Sequence, residues 1–484
     1  MKLRPLIQEL TTAHTPESLG AQLRGSPGLV VLRSAGAPSE ASRYSFVTAR
    51  PFMQFRSTDS RCEIFHTETA TEPQLRETRI DNPWQSLGAF WSRYEFQEPH
   101  DSPFPLGGCF GYWGYDLKNF TETKLPRRAS NDLQLPDSHV GFYASLVVFD
   151  HRLGTTWIVA TGLGADGNRS ETRQREQLEF WSDRLAQPPG PAEAFDATDA
   201  RREFTSNRTR ADFLAAITQA QRYIRAGDIY QVNLSQRLVA PWSASGWELF
   251  LRLTAASPAP FAAFIDGGDF QLASSSPEQF LRIHDAEIIT QPIKGTRPRG
   301  ATPAQDERLA HELQSSPKER AELVMITDLL RNDLGRFCAY GSVRVTELAR
   351  LERFAQVQHL ISTVRGRLRP EVTHWQALAA AFPGGSITGA PKFRAMEIID
   401  ELEPVARGPY CGCHGYLGFN RQSQLSISIR TAICRNECAY FYVGAGIVAD
   451  SDPAAEYEET LAKARGFLAA LNPSQPHPQP VARA

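Results

Sequence analysis

Apolar positions fall into clear periods from residue 209 onward. After Thr209-Arg-Ala-Asp212, a capping-box pattern, Phe213, Ile217, Ala220 and Ile224 recur at helical spacing until Gly227 supplies a stop. The period then drops to two. Ile229-Tyr-Gln-Val-Asn-Leu-Ser235 predicts a strand whose one face carries Ile229, Gln231, Asn233 and Ser235, so two amides point the same way. Ala286-Glu-Ile-Ile-Thr290 and Ala439-Tyr-Phe-Tyr-Val443 predict further strands from their β-branched and aromatic content. Ser316-Pro-Lys-Glu319 starts a helix running to about Asn332, with Ser at N-cap, Pro at N1 and Glu at N3. Ser451-Asp-Pro453 starts another in the same way. Upstream, Gly28–Arg33, Ala144–Phe149 and Thr155–Ala160 predict strands, and Glu171–Leu185 a charged helix. The chain therefore divides into a β-rich region over 1–185, a Pro/Ala-rich linker over 186–204 and a second region over 205–471. A proline-bearing tail at 472–484 is expected to be disordered. Strands and helices alternate irregularly and no repeat is visible, which predicts a mixed α/β fold with sheets covered by helices.

Composition narrows the classes. A chain of 484 residues suits two to four domains or one large intertwined unit. A formal charge of −2 lacks the basic footprint that nucleic acid or an anionic membrane requires, so neither is expected as a partner. No run of eighteen apolar residues exists, and Met1-Lys-Leu-Arg-Pro-Leu-Ile lacks the apolar core of a signal peptide, so a cytoplasmic location is expected. Seven cysteines fit free thiols in a reducing compartment, and Cys411-x-Cys413 and Cys434-x3-Cys438 are not common zinc spacings.

Several positions carry chemistry. Lys294, in Gln291-Pro-Ile-Lys-Gly-Thr-Arg297, follows the 286–290 strand and precedes Gly295, where the backbone can turn or approach something closely. A lysine there is either a nucleophile, if burial keeps part of it neutral, or a solvated cation snorkelling off a strand end. Glu319 and Glu322 lie i, i+3 on one helix, and Glu456 and Glu459 do the same on another. Glu319 has a capping reason to be there, and Glu459 could simply pair with Lys463. Glu322 lies beside an apolar face assigned to Ala321, Val324, Met325 and Leu329. Two such helices suggest convergence on one hard cation, for which carboxylates suit Mg²⁺, or else two solvated helix faces. Gly384 to Gly389 has phosphate-loop spacing but ends in Ala-Pro where Lys-Ser/Thr belongs, leaving a turn whose N–H groups and Ser386/Thr388 hydroxyls could hold a carboxylate. Gly444-Ala-Gly-Ile-Val448 offers a second nest, and Arg430 a bidentate contact.

Ser276-Pro-Glu278, Pro292-Ile-Lys-Gly-Thr296, Lys318-Glu-Arg-Ala-Glu322, Asp328-Leu-Leu-Arg-Asn-Asp333, Pro383-Gly-Gly-Ser-Ile-Thr-Gly-Ala-Pro-Lys392, Ile429-Arg-Thr431, Gly446-Ile-Val-Ala-Asp-Ser-Asp-Pro453 and Glu456-Tyr-Glu-Glu459 together resemble the chorismate-utilising enzymes. The resemblance is dense over about 205–470, and 1–185 resembles the N-terminal regions of anthranilate and aminodeoxychorismate synthase large subunits more loosely. It implies an anthranilate-synthase-like core of two large sheets covered by helices. Isochorismate and salicylate synthases carry a lysine base where this chain has Gln231, which has no useful basicity. Anthranilate synthases resemble Pro-Ile-Ala-Gly-Thr at 292–296, whereas lysine at 294 resembles the aminodeoxychorismate synthase branch. The resemblance implies Mg²⁺ held by Glu322 and Glu459 with Glu319 and Glu456 behind them. It also implies that Lys294 attacks C2 of chorismate while Glu278 protonates the departing C4 hydroxyl, and that His359 packs on the ring or orients the hydroxyl. Gln231, Thr296, Thr388, Tyr416, Arg430, Gly444, Gly446 and Lys463 are the implied substrate contacts. No Gly-x-Cys-x-Gly glutaminase loop is present, so a separate glutamine amidotransferase subunit is expected to supply ammonia. The resemblance also implies a tryptophan pocket at Ser34 and Tyr44, which are otherwise ordinary polar residues at the edge of the core. An anthranilate-forming enzyme and a non-catalytic chorismate-binding subunit are the alternatives.

Overall fold

Two antiparallel sheets of twelve strands each organise the computed structural model, which describes residues 3–34, 42–67, 73–190, 202–354 and 357–472. In neighbour order the first passes from Leu6–Leu10 through Thr155–Ala160, Ser145–Asp150, Tyr44–Thr48 and Val30–Arg33. It continues through Phe261–Asp266, Gln271–Ser276, Thr431–Arg435, Cys438–Ile447 and Gln231–Pro241. The second passes from Ile293–Pro298 through Val357–Arg367, Glu287–Gln291, Gln279–His284, Gln422–Ile427 and Cys413–Gly418. It then crosses Gly108–Trp113, Ser138–Tyr143, Met53–Thr58, Arg61–His66 and Gln74–Ile80. Both sheets thus draw on both regions of the chain. Val30–Arg33 pairs with Phe261–Asp266 in one, and Gly108–Trp113 with Cys413–Gly418 in the other. The linker stretch 191–201 and the tail from 473 lie outside the described residues.

Helices cover these sheets with aromatic side chains. Trp84 on Pro83–Tyr94 and Trp375 on His374–Ala381 pack at 5.2 Å, and the Trp375 Nε1 donates to the Trp84 carbonyl at 2.7 Å. On the first sheet, Phe441 stacks on Phe467 of the Arg465–Leu471 helix at 4.4 Å. Within the glycine–aromatic run at 107–116, Gly108–Trp113 is a fully buried strand, and its glycines admit neighbouring backbone. A Cβ on Gly111 would stand 2.1 Å from the His139 carbonyl oxygen, and one on Gly108 would stand 2.5 Å from that of Leu417.

Local expectations mostly hold, with four corrections. Thr209 caps Arg210–Ala226 and Gly227 ends it at φ +82°, and Ser316 caps Pro317–Gly335. Lys294 does not end the preceding strand. That strand stops at Gln291, and Lys294 is the second residue of a new one, Ile293–Pro298, whose register shifts at Gly295. Gly444–Ile447 is no turn: it continues Cys438–Ile447 and pairs with Val232–Ser235, while the other neighbour, Thr431–Arg435, stops pairing at Phe441. The buried face of Pro317–Gly335 is Leu323, Ile326, Leu330 and Leu334, whereas Val324 is 49 % exposed. Finally, Asp452 and not Ser451 caps Pro453–Lys463, because the Ser451 hydroxyl donates to Glu456 at 2.6 Å.

Overpacking at Gly111 has nowhere to relax, since backbone on the adjacent strand blocks the added methyl. Gly111→Ala is expected to cost on the order of 3 kcal/mol in denaturant unfolding. Gly335→Ala, where nothing lies within 4 Å of the new carbon, is expected to stay within about 1 kcal/mol of the parent.

Candidate active site

Glu278 and Lys294 flank a hairpin. Gln279–His284 and Glu287–Gln291 pair with each other through Gln279 opposite Gln291, so Glu278 and Lys294 stand just beyond the paired end of these strands. Glu278 is buried. Burial pushes its carboxyl above the usual range, against hydrogen bonds from the Ser386 side chain and the Ile293 backbone and the positive charge of Lys294. Lys294 also acts on Glu322 and Glu459, so its ammonium faces three carboxylates at once. It makes no ion pair or hydrogen bond of its own among the described residues. Gly295 lets this strand come close to the first carboxylate helix: at φ +70°, a Cβ there would stand 3.0 Å from the Glu319 Oε2.

The two carboxylate helices meet across Lys318, whose Nζ lies 3.9 Å from Glu456. Glu319 does not close its capping box but turns to Arg297 at 3.5 Å. Glu322 is raised by burial, with repulsion from Glu319 and Glu459 added, against the pull of Lys294 and Lys318. Glu456 is raised by burial and by Glu459, against the Ser451 hydroxyl. Burial would raise Glu459 too, but Lys463 at 2.8 Å, with Lys318 and Lys294, holds it below the usual range. Among the described residues no three acidic, His or Cys side chains form a metal cage. The donor set nonetheless fits Mg²⁺, which is held through one or two carboxylates and keeps its waters. Mutual repulsion between Glu322, Glu319 and Glu459 is what such an ion would relieve.

His359 and Arg430 supply the opposite side. The His359 Nδ1 lies 3.1 Å from the Gly295 carbonyl, which can only accept, so Nδ1 carries the proton and Nε2 is the acceptor. The Thr296 hydroxyl stands 3.0 Å from the same nitrogen. Burial, and then Arg430, depress this imidazole to about 4 against the Gly295 hydrogen bond, so it is neutral at physiological pH. Arg430 holds a left-handed backbone at φ +53° that a non-glycine residue seldom adopts. Burial lowers its guanidinium below the usual range, and no ion pair or hydrogen bond of that group occurs among the described residues. A half-buried guanidinium with no anion beside it among the described residues is a strong site for a carboxylate.

Gln231 and Asn233 line a wall with Gly444 and Gly446. The Gln231 Nε2 is 2.4 Å from where a Gly446 Cβ would be, and the Asn233 Oδ1 is 2.9 Å from that of Gly444. Both amide oxygens are buried without a hydrogen-bond partner among the described residues. The Lys463 Nζ donates to the Gly444 carbonyl at 2.8 Å. Thr388 is buried and its hydroxyl donates within its own loop, to the Gly384 and Gly385 carbonyls, while its carbonyl accepts from the Asn233 N–H. Tyr410 was missed from sequence. Its hydroxyl stands 2.8 Å from the Gly444 Cβ position, and its ring stacks on Tyr442 at 5.1 Å. It sits in an irregular loop with no periodic signal. Ser386 was identified, but as part of an anion nest and not as the partner of Glu278.

Tyr416 lies elsewhere. It lines a small cavity of ≈ 40 Å³ with Tyr44, Phe46 and Phe261, its ring stacked on Phe110. The volume holds a few waters. Ser34 is buried nearby in sequence, its N–H donating to the Ser45 hydroxyl at 2.9 Å, and residues 35–41 lie outside the described set.

Residues 41–469 match the family model described as chorismate binding enzyme. The chain is 40 % identical to aminodeoxychorismate synthase component 1 of Escherichia coli, over 93 % of this chain and 95 % of that one. It is 38 % identical to anthranilate synthase component 1 of Thermus thermophilus, over 96 % of each. The crystal structure of anthranilate synthase component I from Streptococcus pneumoniae superposes with a TM-score of 0.76 at 31 % identity, covering 89 % of this chain and 92 % of that one. This chain belongs to the chorismate-binding enzymes, the family that includes these aminodeoxychorismate and anthranilate synthase components.

Proposed function

We propose that this enzyme aminates chorismate to 4-amino-4-deoxychorismate, as an aminodeoxychorismate synthase component 1, en route to 4-aminobenzoate and folate. The observation that carries the reading is Lys294: an amine acting on Glu278, Glu322 and Glu459 together, and held in no ion pair among the described residues. An alanine there, as in anthranilate synthases, would offer no nucleophile. Identities of 40 % and 38 % to the two kinds of relative leave the chemistries level, so this side chain separates them.

On this reading Arg430 takes a substrate carboxylate, and the wall of Gln231, Gly444 and Gly446 orients the rest. Neutral Lys294 attacks C2 as the ring double bond shifts and the C4 hydroxyl leaves as water, carrying the proton of Glu278. The adduct nitrogen then gives up a proton to the Glu278 carboxylate. Ammonia adds at C4 as the double bonds shift back and the C2–N bond breaks; its electron pair stays on the Lys294 nitrogen, which takes the Glu278 proton and leaves as the neutral amine, and the new C4 ammonium returns a proton to Glu278. Burial suits Glu278 to the task, because it keeps the carboxyl protonated to higher pH. His359, neutral with Nε2 as acceptor, orients a hydroxyl without adding charge. Mg²⁺, held by Glu322 and Glu459 with Glu319 and Glu456 behind, would supply positive charge for an anionic substrate. A second subunit, a glutamine amidotransferase, is proposed to deliver the ammonia. The component 1 designation of the relatives supports a second component.

With chorismate, ammonium and Mg²⁺, the purified chain is expected to form aminodeoxychorismate, identified by mass spectrometry directly and after addition of the lyase. Lys294→Ala is expected to lose about 10²-fold or more of that product and to gain some anthranilate. Aminodeoxychorismate at the parent rate from this variant would end the covalent mechanism, and anthranilate as the parent's main product would end the functional assignment.

The metal reading has a pH signature. Glu278, Glu322 and Glu456 bind protons more tightly folded than unfolded, so the stability they contribute falls as pH rises through their raised values. Mg²⁺ competes for the ionised forms. Its stabilisation, about 2.7 kcal/mol at ~100 times Kd, is therefore expected to be larger near pH ~8 than near pH ~5. Glu322→Gln is expected to remove the Mg²⁺-dependent rise in melting temperature and leave the metal-free melt unchanged or higher. A metal-free melt that drops sharply would make Glu322 a structural residue.

A further inference from the structure

Strand alternation gives the hairpin behind the active site a second face. Glu278 and Lys294 point one way, while their neighbours Pro277, Gln279, Gln291 and Ile293 line a cavity of ≈ 190 Å³ on the other. Its interior is polar. Gln279 is 3 % exposed, and neither its Oε1 nor its Nε2 has a hydrogen-bond partner among the described residues. A buried amide with both ends open is rare, because each unsatisfied group costs its desolvation in full. The adjoining Gln291 spends its Nε2 on Thr363 at 3.1 Å, and the Thr363 hydroxyl donates to Glu347 at 2.7 Å. These contacts leave Gln279 as the open member of the row.

Charge points the same way. Arg282, Arg350 and Arg365 line the cavity against Glu347 and Glu352, an excess of one positive charge. Arg350 is occupied by both glutamates, at 3.2 and 2.7 Å. The Arg282 guanidinium has no ion pair or hydrogen bond among the described residues. A β-bulge between Gln279 and Arg282 alters the alternation there, and both residues line the cavity. The groups left over are two guanidiniums, the half-buried one of Arg282 across the bulge from Gln279 and the exposed one of Arg365, and one carboxamide; a guanidinium takes a carboxylate, and the carboxamide needs a partner that donates and accepts at once. Another carboxamide does both.

We infer that this cavity is a second binding site, distinct from the Lys294–Glu278 centre, for a small free amino acid bearing a carboxamide. Its carboxylate lies on Arg282, its side-chain amide pairs with Gln279, and its ammonium faces the Glu347–Glu352 side. The volume, below the roughly 300–1,000 Å³ of drug-sized sites, limits the occupant to that scale.

L-Glutamine is the probe. Calorimetric titration of the full chain is expected to show saturable binding, at least about tenfold weaker for L-leucine, which keeps the carboxylate and lacks the amide. Gln279→Leu and Arg282→Met are each expected to weaken glutamine binding about tenfold or more. Gln279→Leu is also expected to raise the ligand-free melting temperature, since it removes an unpaired buried amide. Gln279→Met replaces it if the leucine variant does not fold. No saturable glutamine binding, or equal binding by parent and both variants, would overturn the site. The readout is binding and not turnover, so the outcome is independent of which product the active site forms.

Discussion

Carboxylates kept out of water, with positive charge near but mostly not in contact, govern this molecule. Glu278, Glu322 and Glu456 each hold their proton more firmly than a solvated glutamate, and in each case burial is the leading cause. The lysines offset this only in part. Lys318 is 59 % exposed and reaches Glu456 at 3.9 Å, a geometry worth under about 1 kcal/mol because solvent screens it. The Ser451 hydroxyl, at 2.6 Å and buried, does more for the same carboxylate. Glu459 has a cation in contact, Lys463 at 2.8 Å, and it is held below the usual range. Arg430 mirrors the arrangement as a half-buried cation without a close anion among the described residues. The site therefore holds both signs of charge apart, which suits a ligand that is itself anionic and a cation that bridges to it.

Holding unlike charges apart requires a stiff frame, and Arg407 shows how it is made. Fully buried, it donates to both carboxylate oxygens of Glu403, to the Ile387 carbonyl in the glycine loop and to the Asn233 carbonyl on the amide strand. Its guanidinium also lies 4.7 Å from the Tyr115 ring and 5.7 Å from that of Tyr410. One side chain thus ties together the loop carrying Ser386, the strand carrying Gln231 and the loop carrying Tyr410. Lys392 does similar work at the other end of the glycine loop, with its Nζ 2.6 Å from Asp333 at the end of the first carboxylate helix. A buried pair of this kind adds little net stability, but removing one partner leaves a charge stranded.

Local structure was legible wherever a residue type has a single physical reason to be present. Thr209, Ser316, Gly227 and Pro317 mark helix ends because capping chemistry admits few alternatives. The two amides at 231 and 233 share a face because the strand period is two. Legibility failed where tertiary packing chose between equivalent options. Both Leu323/Ile326/Leu330 and Val324/Met325 are apolar stripes on one helix, and only the strands beneath decide which is buried. Gly444 and Gly446 look like a turn in one dimension, whereas their absent side chains make room for Gln231, Asn233 and Tyr410 across a continuous strand. Tyr416 and Tyr410 are six residues apart in one segment, and nothing in their spacing says which faces the amide wall. The carboxylate helices could be proposed from sequence, but the approach of their N-termini across Lys318 is a property of the sheets.

The choice between two products comes down to scale. Identities of 40 % and 38 %, each over more than nine-tenths of the chain, do not separate the two kinds of relative. On the proposed reading the reaction is decided over a few ångströms by what faces Glu278. Gly295 shows how little freedom that spot has, since any Cβ there would press on Leu313 at 2.7 Å and on the Glu319 carboxylate at 3.0 Å. A strand pinned this closely presents the side chain at 294 in one way only. If that side chain ends in an amine, a nucleophile stands opposite a buried acid and beside the two carboxylate helices. If it were a methyl group, the same frame would hold chorismate with nothing to attack it. The proposed amination at C4 then follows from one substitution within a fold that is otherwise neutral between the two reactions.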